Sequence, residues 1–455
     1  MLSEASLRLA EAACHDRRVR WTGGWVLFAL AAACGDRGVT PRDPAGVADR
    51  QPPPVAPPSA SPAGHLEGRE RLQHLFEAFE RIDRDVPERV RIAQFGDSHT
   101  ASDLGVSVFR RELQARFGDG GRGFVSVGKP WNGYWERGVH VGMSDGFAPV
   151  KVKFHAGAFE GLDGAYGLLG VGVAASAADE RAWTEIADAF THVELDGWRQ
   201  PGGGSFDVSI DGAPAGRVAT RGEPSQSAFW GLDVAEGPHR VEVRTVGDGE
   251  VRLFGMTLDR GRGGVVVDTL GINGAQIFTP LRWSEAHFAE QLRHRAPDLV
   301  ILAYGTNEAV EPKLTDSAYE LGIVEMLGRV SRAVPTASCL LLGPPDLARR
   351  ATPRDPWATT PRVLEIVEIQ RRVAQAAGCA FFDQLAAMGG PGSMAAWAAE
   401  AEPRALRDRV HLSRDGYAQV GAAFADDLLR AYDAWSAERG LPLARAPKTW
   451  GGAVH

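Results

Sequence analysis

Residues 264–305 read GVVVDTLGINGAQIFTPLRWSEAHFAEQLRHRAPDLVILAYG, and this stretch decides the fold class. It opens on an apolar, β-branched run, GVVVDTLG. A polar loop follows, then a helical segment over about 282–295, then a second apolar run, DLVILAYG. Strand, helix, strand is the repeating unit of a parallel sheet, because parallel strands must be joined by a crossover. Both runs are apolar nearly throughout, as expected of strands covered on two faces.

Working outward, the pattern continues toward the C-terminus. A helix near 319–332 precedes CLLLGPP (339–345), a helix over 362–377 precedes CAFFDQ (379–384), and a last helix spans about 415–436. Toward the N-terminus, Leu72, Leu75, Phe76, Phe79 and Ile82 stand at amphipathic helical spacing. Val90 to Phe95 reads as a buried strand, and a helix over 103–117 follows it. Between about 131 and 259 the texture changes to short alternating runs, among them VKVKF, THVELD, FDVSIDG, HRVEVRTV and VRLFGMTLD, punctuated by Gly, Pro and Asp. Many short strands with regular turn signals predict an all-β sandwich. The economical reading is one α/β domain with a β-sandwich inserted after its first strand and helix. The boundaries read as 68–130 and 262–440 for the α/β domain and 131–261 for the insert, with a tail over 441–455.

The chain has 455 residues, 44% of them hydrophobic, enough for two or three cores and incompatible with wholesale disorder. Its 50 basic and 58 acidic residues give a net charge of -8, and no basic stripe follows a phosphate backbone, so nucleic acid is not an expected partner. The apolar run 21–33, WTGGWVLFALAAA, is shorter than the ~20 residues of a membrane span and fits an export signal, with Arg17, Arg18 and Arg20 before it. Ala31-Ala32-Ala33-Cys34 closes it and resembles a bacterial lipobox, with Cys34 as the lipidated residue. A signal over 1–34, a Pro/Ala-rich tether over 35–67 and a periplasmic or cell-envelope location follow as expectations, with lipid as the sole membrane contact. Cys339 and Cys379 stand in apolar runs and read as buried free thiols, since adjacent parallel strands rarely offer disulfide geometry. There is no C-x-x-C pair, and so no sequence case for a zinc ribbon or a thioredoxin-type site.

Four loops carry the chemistry: FGDSHT (95–100), LGINGAQ (270–276), YGTNEA (304–309) and DRVHLSRDGY (408–417). Three follow predicted strands at the sheet edge where α/β proteins build sites, and the fourth precedes the last helix. Ser98 is a nucleophile that needs a base, His411 is the candidate base, and Asp408, three residues earlier, is placed to orient it. In type and order these loops resemble blocks I, II, III and V of the SGNH, or GDSL-like, hydrolase superfamily. The resemblance implies a flavodoxin-like three-layer fold with a parallel sheet and a jelly-roll-like insert. It also implies a triad of Ser98, Asp408 and His411, an oxyanion hole formed by the Ser98 and Gly274 N–H groups and the Asn307 amide, and no metal or organic cofactor. The α/β-hydrolase alternative fails at the nucleophile, because the FGDSHT loop around Ser98 lacks the second glycine of a G-x-S-x-G elbow.

Nearby residues have plainer readings. Asp97 shapes the nucleophile turn, and His99, Asn273 and Glu308 satisfy loops. Gly123 to Lys129 departs from a phosphate loop at Pro130, and His287 and His294 lack a third ligand for a metal. Further phrases, GVVVDTLGINGAQ, LLLGPPD (340–346) and MGGPGSM (388–394) with Trp397, are similar to bacterial peptidoglycan O-acetylesterases, whose inserted domain resembles a carbohydrate-binding module. Trp131, Tyr134 and Trp135, in PWNGYW, are candidates for a sugar-stacking platform, although aromatics in a β insert also serve as core. The function expected from this resemblance is a serine carbohydrate esterase that removes acetyl groups from a cell-envelope glycan, peptidoglycan foremost. An O-acetyltransferase of the same fold and a non-catalytic glycan-binding lipoprotein are the alternatives.

Overall fold

A computed structural model of the chain describes residues 64–152 and 163–441. The export signal, Cys34, most of the tether, part of the VKVKF run and all but the first residue of the tail lie outside the described residues. Seventeen strands occur among the described residues. The first two are β1 (Leu66–Glu67) and β2 (Arg89–Gly96). The insert carries β3 (Gly123–Val125), β4 (Val139–Met143), β5 (Ala148–Lys151), β6 (Val171–Ala175), β7 (Arg181–Arg199), β8 (Ser205–Ile210), β9 (Ala213–Ala219), β10 (Gln226–Thr245) and β11 (Val251–Asp259). The remainder are β12 (Gly264–Gly271), β13 (Leu299–Ala303), β14 (Ser338–Leu342), β15 (Ala348–Arg349), β16 (Ala358–Thr359) and β17 (Ala380–Phe382).

Six strands form the central sheet in the order β1-β17-β14-β13-β2-β12. The five longer strands are parallel, in the flavodoxin-like order, and β2 and β13 flank the point where the winding reverses. Alternation along β2 builds both faces. Val90 and Ile92 pack with helices 73–83, 104–117 and 414–438, whereas Ala93 and Phe95 pack with helices 285–295, 316–333 and 361–377. The result is a three-layer α/β/α domain. β1 departs from the all-parallel expectation: Leu66 and Glu67, read as tether, pair antiparallel with Phe382 and Phe381 at the sheet edge.

The strands between 123 and 259, expected to form the insert, build a nine-stranded antiparallel sheet with an apolar cluster that includes Val125, Phe190, Leu195, Phe206 and Val243. It starts earlier than residue 131, since β3 pairs with β11 through Phe124 and Thr257. Its hydrogen bonding forms one continuous ladder where a sandwich predicts two. The reason lies in β7 and β10, 19 and 20 residues long, which run through both halves. The first half of β7 pairs with β4, the second with β11, and register shifts between Asp233 and His239 mark the change.

The expectation of free thiols is overturned as well. Cys339 and Cys379 are joined as a disulfide, with Cα atoms 4.8 Å apart. Leu340 on β14 is paired with Ala380 on β17, so the two cysteines sit directly opposite at the strand entrance. Cys379 precedes β17 and follows Gly378, which ends the helix at φ 75°, so its backbone is not bound to ladder geometry. That freedom lets the Cβ atoms converge where two regular parallel strands would hold them apart.

Candidate active site

β2 ends at Gly96, where the chain turns sharply into a one-turn helix, Ser98–Ala101. A Cβ at Gly96 would lie 2.2 Å from Thr100 Oγ1 and 2.8 Å from the Ala303 carbonyl, so only glycine fits. Asp97 caps the turn, its Oδ1 accepting the His99 N–H at 2.9 Å. Burial pushes the Asp97 carboxyl up to about 7. Its role is the structural one the sequence suggests, and Ser98 beside it remains half-buried at the mouth of a cleft.

The partner loop arrives from the other end of the chain. Ser98 Oγ lies 2.9 Å from His411 Nε2, and His411 Nδ1 lies 2.8 Å from Asp408 Oδ2. Asp408 Oδ1 accepts the Val410 and His411 N–H groups, both at 3.0 Å. Arg409, at φ 56°, bends the chain so that Asp408 and His411 meet across three residues. Burial raises the Asp408 carboxyl, but the hydrogen bonds from the His411 ring and from the two N–H groups outweigh it and leave it below its ordinary value. The loop rests on a small core of Met388, Met394, Trp397, Leu412 and Tyr417, which explains MGGPGSM and Trp397. Asp346, at the end of LLLGPPD, secures it by accepting the Met394 N–H at 2.9 Å.

The remaining loops meet the same cleft. Gly274 has φ 77° and nothing within 4 Å of its Cβ position, so the LGINGAQ loop is open there. Asn307 donates one Nδ2 hydrogen to the Ala275 carbonyl at 2.9 Å, which leaves the second for a ligand. Glu308, fully buried, accepts the Ile277 N–H at 2.7 Å and the Gly305 N–H at 3.0 Å, clamping the LGINGAQ and YGTNEA loops together. Burial pushes its carboxyl up to about 7. Ser98, Asn273, Gly274, Asn307 and His411 thus share a cleft of about 600 Å³.

Of the three aromatic candidates, Trp131 and Trp135 line that cleft, and Trp135 is 43% exposed. Tyr134 does not. Its hydroxyl donates to Glu136 at 2.5 Å and accepts the Ser126 N–H at 3.1 Å, and its ring meets Trp131 edge-on. His99 turns away from the cleft, with Nδ1 2.9 Å from the Tyr417 hydroxyl, and its ring lies 5.3 Å from that of His411. Burial lowers its pKa to about 3, so it stays neutral beside the His411 imidazole.

Sequence reasoning missed Asp103. Fully buried, its carboxylate accepts from Arg110 at 3.2 Å, Arg122 at 2.9 Å, Thr269 at 2.8 Å and the Arg137 N–H at 3.1 Å. Partners 7 to 166 residues away leave no local pattern to find. Among the described residues no group of three or more His, Cys, Asp or Glu is placed to hold a metal, and no helix is long and apolar enough to cross a membrane.

Residues 232–419 match the GDSL-like lipase/acylhydrolase family. Over that stretch the chain is similar to GDSL-like hydrolases. The matched stretch holds the His411 loop but begins after Ser98, which the fold brings within 2.9 Å of His411. Among solved structures, a peptidoglycan O-acetylesterase is 24% identical over 79% of this chain and 96% of its own, with a TM-score of 0.67, and so shares the fold. An active-site mutant of a family two carbohydrate esterase from Clostridium thermocellum aligns at 10% identity over 64% of this chain and 98% of its own, with a TM-score of only 0.27. A family two carbohydrate esterase from Corynascus thermopiles, solved with its carbohydrate-binding domain, aligns at 16% identity over 57% and 96%, with a TM-score of 0.29. Among curated proteins no sequence matches.

Proposed function

We propose that this GDSL-like hydrolase removes O-acetyl groups from a cell-envelope glycan, peptidoglycan foremost, through an acyl-Ser98 intermediate. The observation that carries the reading is the Ser98–His411–Asp408 relay opening into a cleft walled by Trp131 and Trp135. The shared fold with a peptidoglycan O-acetylesterase supports the choice of glycan. Ser98 Oγ attacks the acetyl carbonyl as His411 Nε2 takes its proton, and Asp408 stabilises the imidazolium. The N–H groups of Ser98 and Gly274 and the free amide hydrogen of Asn307 receive the oxyanion, each donor contributing about 3 kcal/mol. The sugar oxygen departs with the proton from His411. Water, deprotonated by the same nitrogen, then releases acetate and restores Ser98.

Hydrolysis is favoured over acetyl transfer because the dyad is open to water, with the His411 side chain 35% and the Asp408 side chain 47% exposed. The insert, with its long strands folded over a separate core, is read as a jelly-roll-like carbohydrate-binding module. Export and a lipid anchor at Cys34 complete the proposal, supported by the Cys339–Cys379 bridge, which suits an oxidising compartment. The test supplies an activated acetyl ester with and without chito-oligosaccharide or peptidoglycan fragments and follows both acetate and acetylated sugar. Free acetate as the dominant product is expected. Acetylated sugar as the main product, with acetate suppressed by the acceptor, would replace the esterase with a transferase.

A further inference from the structure

We infer that the buried ion network Asp103–Arg122–Glu136, closed by Tyr134, positions the Trp131–Trp135 loop beside Ser98 and so sets selectivity for a bulky, sugar-borne ester over a small one. The inference rests on the glycan reading of the same site.

Asp103 stands five residues after Ser98, at the start of helix 104–117, with φ 51° and no exposed surface. It is therefore fixed in the segment that carries the nucleophile. From it the network runs outward through Arg122, which also donates through Nη1 to Asp188 at 2.6 Å, a side chain 51% exposed. Arg122 Nη2 bridges Asp103 at 2.9 Å and Glu136 at 3.0 Å, and Glu136 takes the Tyr134 hydroxyl at 2.5 Å. The Arg137 N–H returns to Asp103 at 3.1 Å, so the aromatic loop is tied by its backbone as well. Trp131 leans edge-on against Tyr134 with ring centroids 5.1 Å apart, which passes the constraint to the cleft wall. Each tie but the last is a hydrogen bond to a buried carboxyl group, a stiff kind of tie for a loop.

Stability alone does not account for this arrangement. Burying charges carries a desolvation cost that apolar residues of the same volume avoid, so such a network is weak grounds for a folding role. Its position points elsewhere. Trp135 is held 43% exposed in the wall of the cleft that holds Ser98, where a flat apolar ring has little to do except meet a flat apolar face of a ligand. The cleft, about 600 Å³, extends well beyond what an acetyl group occupies. A small ester reaches Ser98 without touching the loop, whereas a sugar ester must lie along it.

The test compares the full chain with Tyr134→Phe and Glu136→Gln on an aryl acetate and on an O-acetylated chito-oligosaccharide. Both variants are expected to raise KM for the oligosaccharide about tenfold, the size of one aromatic contact, with kcat held within about twofold. On aryl acetate, kcat/KM should stay within about twofold. Because Tyr134 acts through the platform, Trp135→Ala combined with Tyr134→Phe should raise KM no further than Trp135→Ala alone. Equal losses on both esters, additive KM effects or an unchanged oligosaccharide KM would each overturn the inference. Wild-type protein that cleaves the aryl ester but no acetylated glycan would remove the glycan reading and the inference together. If Glu136→Gln fails to fold, Tyr134→Phe, which loses one hydroxyl, still decides.

Discussion

In the proposed mechanism Ser98, His411 and Asp408 act as one unit, because the serine needs the imidazole 2.9 Å away and the carboxylate holds that imidazole at 2.8 Å. Ser98→Ala and His411→Ala should each abolish nearly all aryl-acetate turnover, and the double variant should be little worse than either. Asp408→Asn should cost less, about 10⁴-fold in kcat, because a base remains in place. Initial rates of the four proteins decide, and multiplicative losses would count against the unit. Asp97 next door gives a pH prediction. Its carboxyl is raised from 3.8 to about 7, so the fold favours the protonated form. The resulting stability is fully present below the unfolded value and is lost as pH rises through about 7. Thermal unfolding of wild type should therefore weaken between about pH 4 and 7, and Asp97→Asn, which keeps the acceptor for His99, should flatten that slope. An unchanged slope would show that Asp97 ionises freely in the fold. The meeting of Ser98, His411 and Asp408 was legible in the sequence because its motifs are local: a serine in a strand-to-helix turn and an acid three residues before a histidine. Asp103 was not, because its role exists only once four distant segments meet.

At the scale of elements, the strands and helices of the α/β domain were readable because each parallel strand is an apolar run and each helix an amphipathic one. Where the chain departs from these patterns, a tertiary constraint decides. Leu66 and Glu67 carry no strand signal and pair only because β17 offers an open edge. Cys339 and Cys379 look like buried thiols until β14 and β17 are aligned, and the residue before a strand escapes the geometry within it. The bridge encloses a 40-residue separation, so Cys339→Ser with Cys379→Ser should lower stability by about 2–4 kcal/mol. Aryl-acetate kcat should hold at temperatures where the variant is folded, since the bridge lies outside the cleft. Denaturant unfolding with and without reductant measures this. Wild type insensitive to reductant would mean that the bridge is absent or contributes nothing.

At the scale of the molecule, helix 285–295 joins the insert to the hydrolase. Its residues 287, 291 and 294 share one face by helical spacing, and each bonds to the insert side. His287 Nε2 accepts the Gly167 N–H at 2.8 Å, Gln291 donates to Asp196 at 2.9 Å, and His294 pairs with Glu194 at 2.7 Å. The two histidines are thus pins between the parts. The aromatic loop on one side and the triad on the other form a single cleft, and the central claim is that an acetyl group passes from glycan to Ser98 within it. The most direct measurement mixes the full chain with O-acetylated peptidoglycan fragments, quenches in acid during turnover, and maps the digested protein by mass. One acetyl group on the peptide holding Ser98, absent from Ser98→Ala together with acetate release, is the expected result. Acetate release undiminished in Ser98→Ala, or the acetyl group on a different residue, would contradict it.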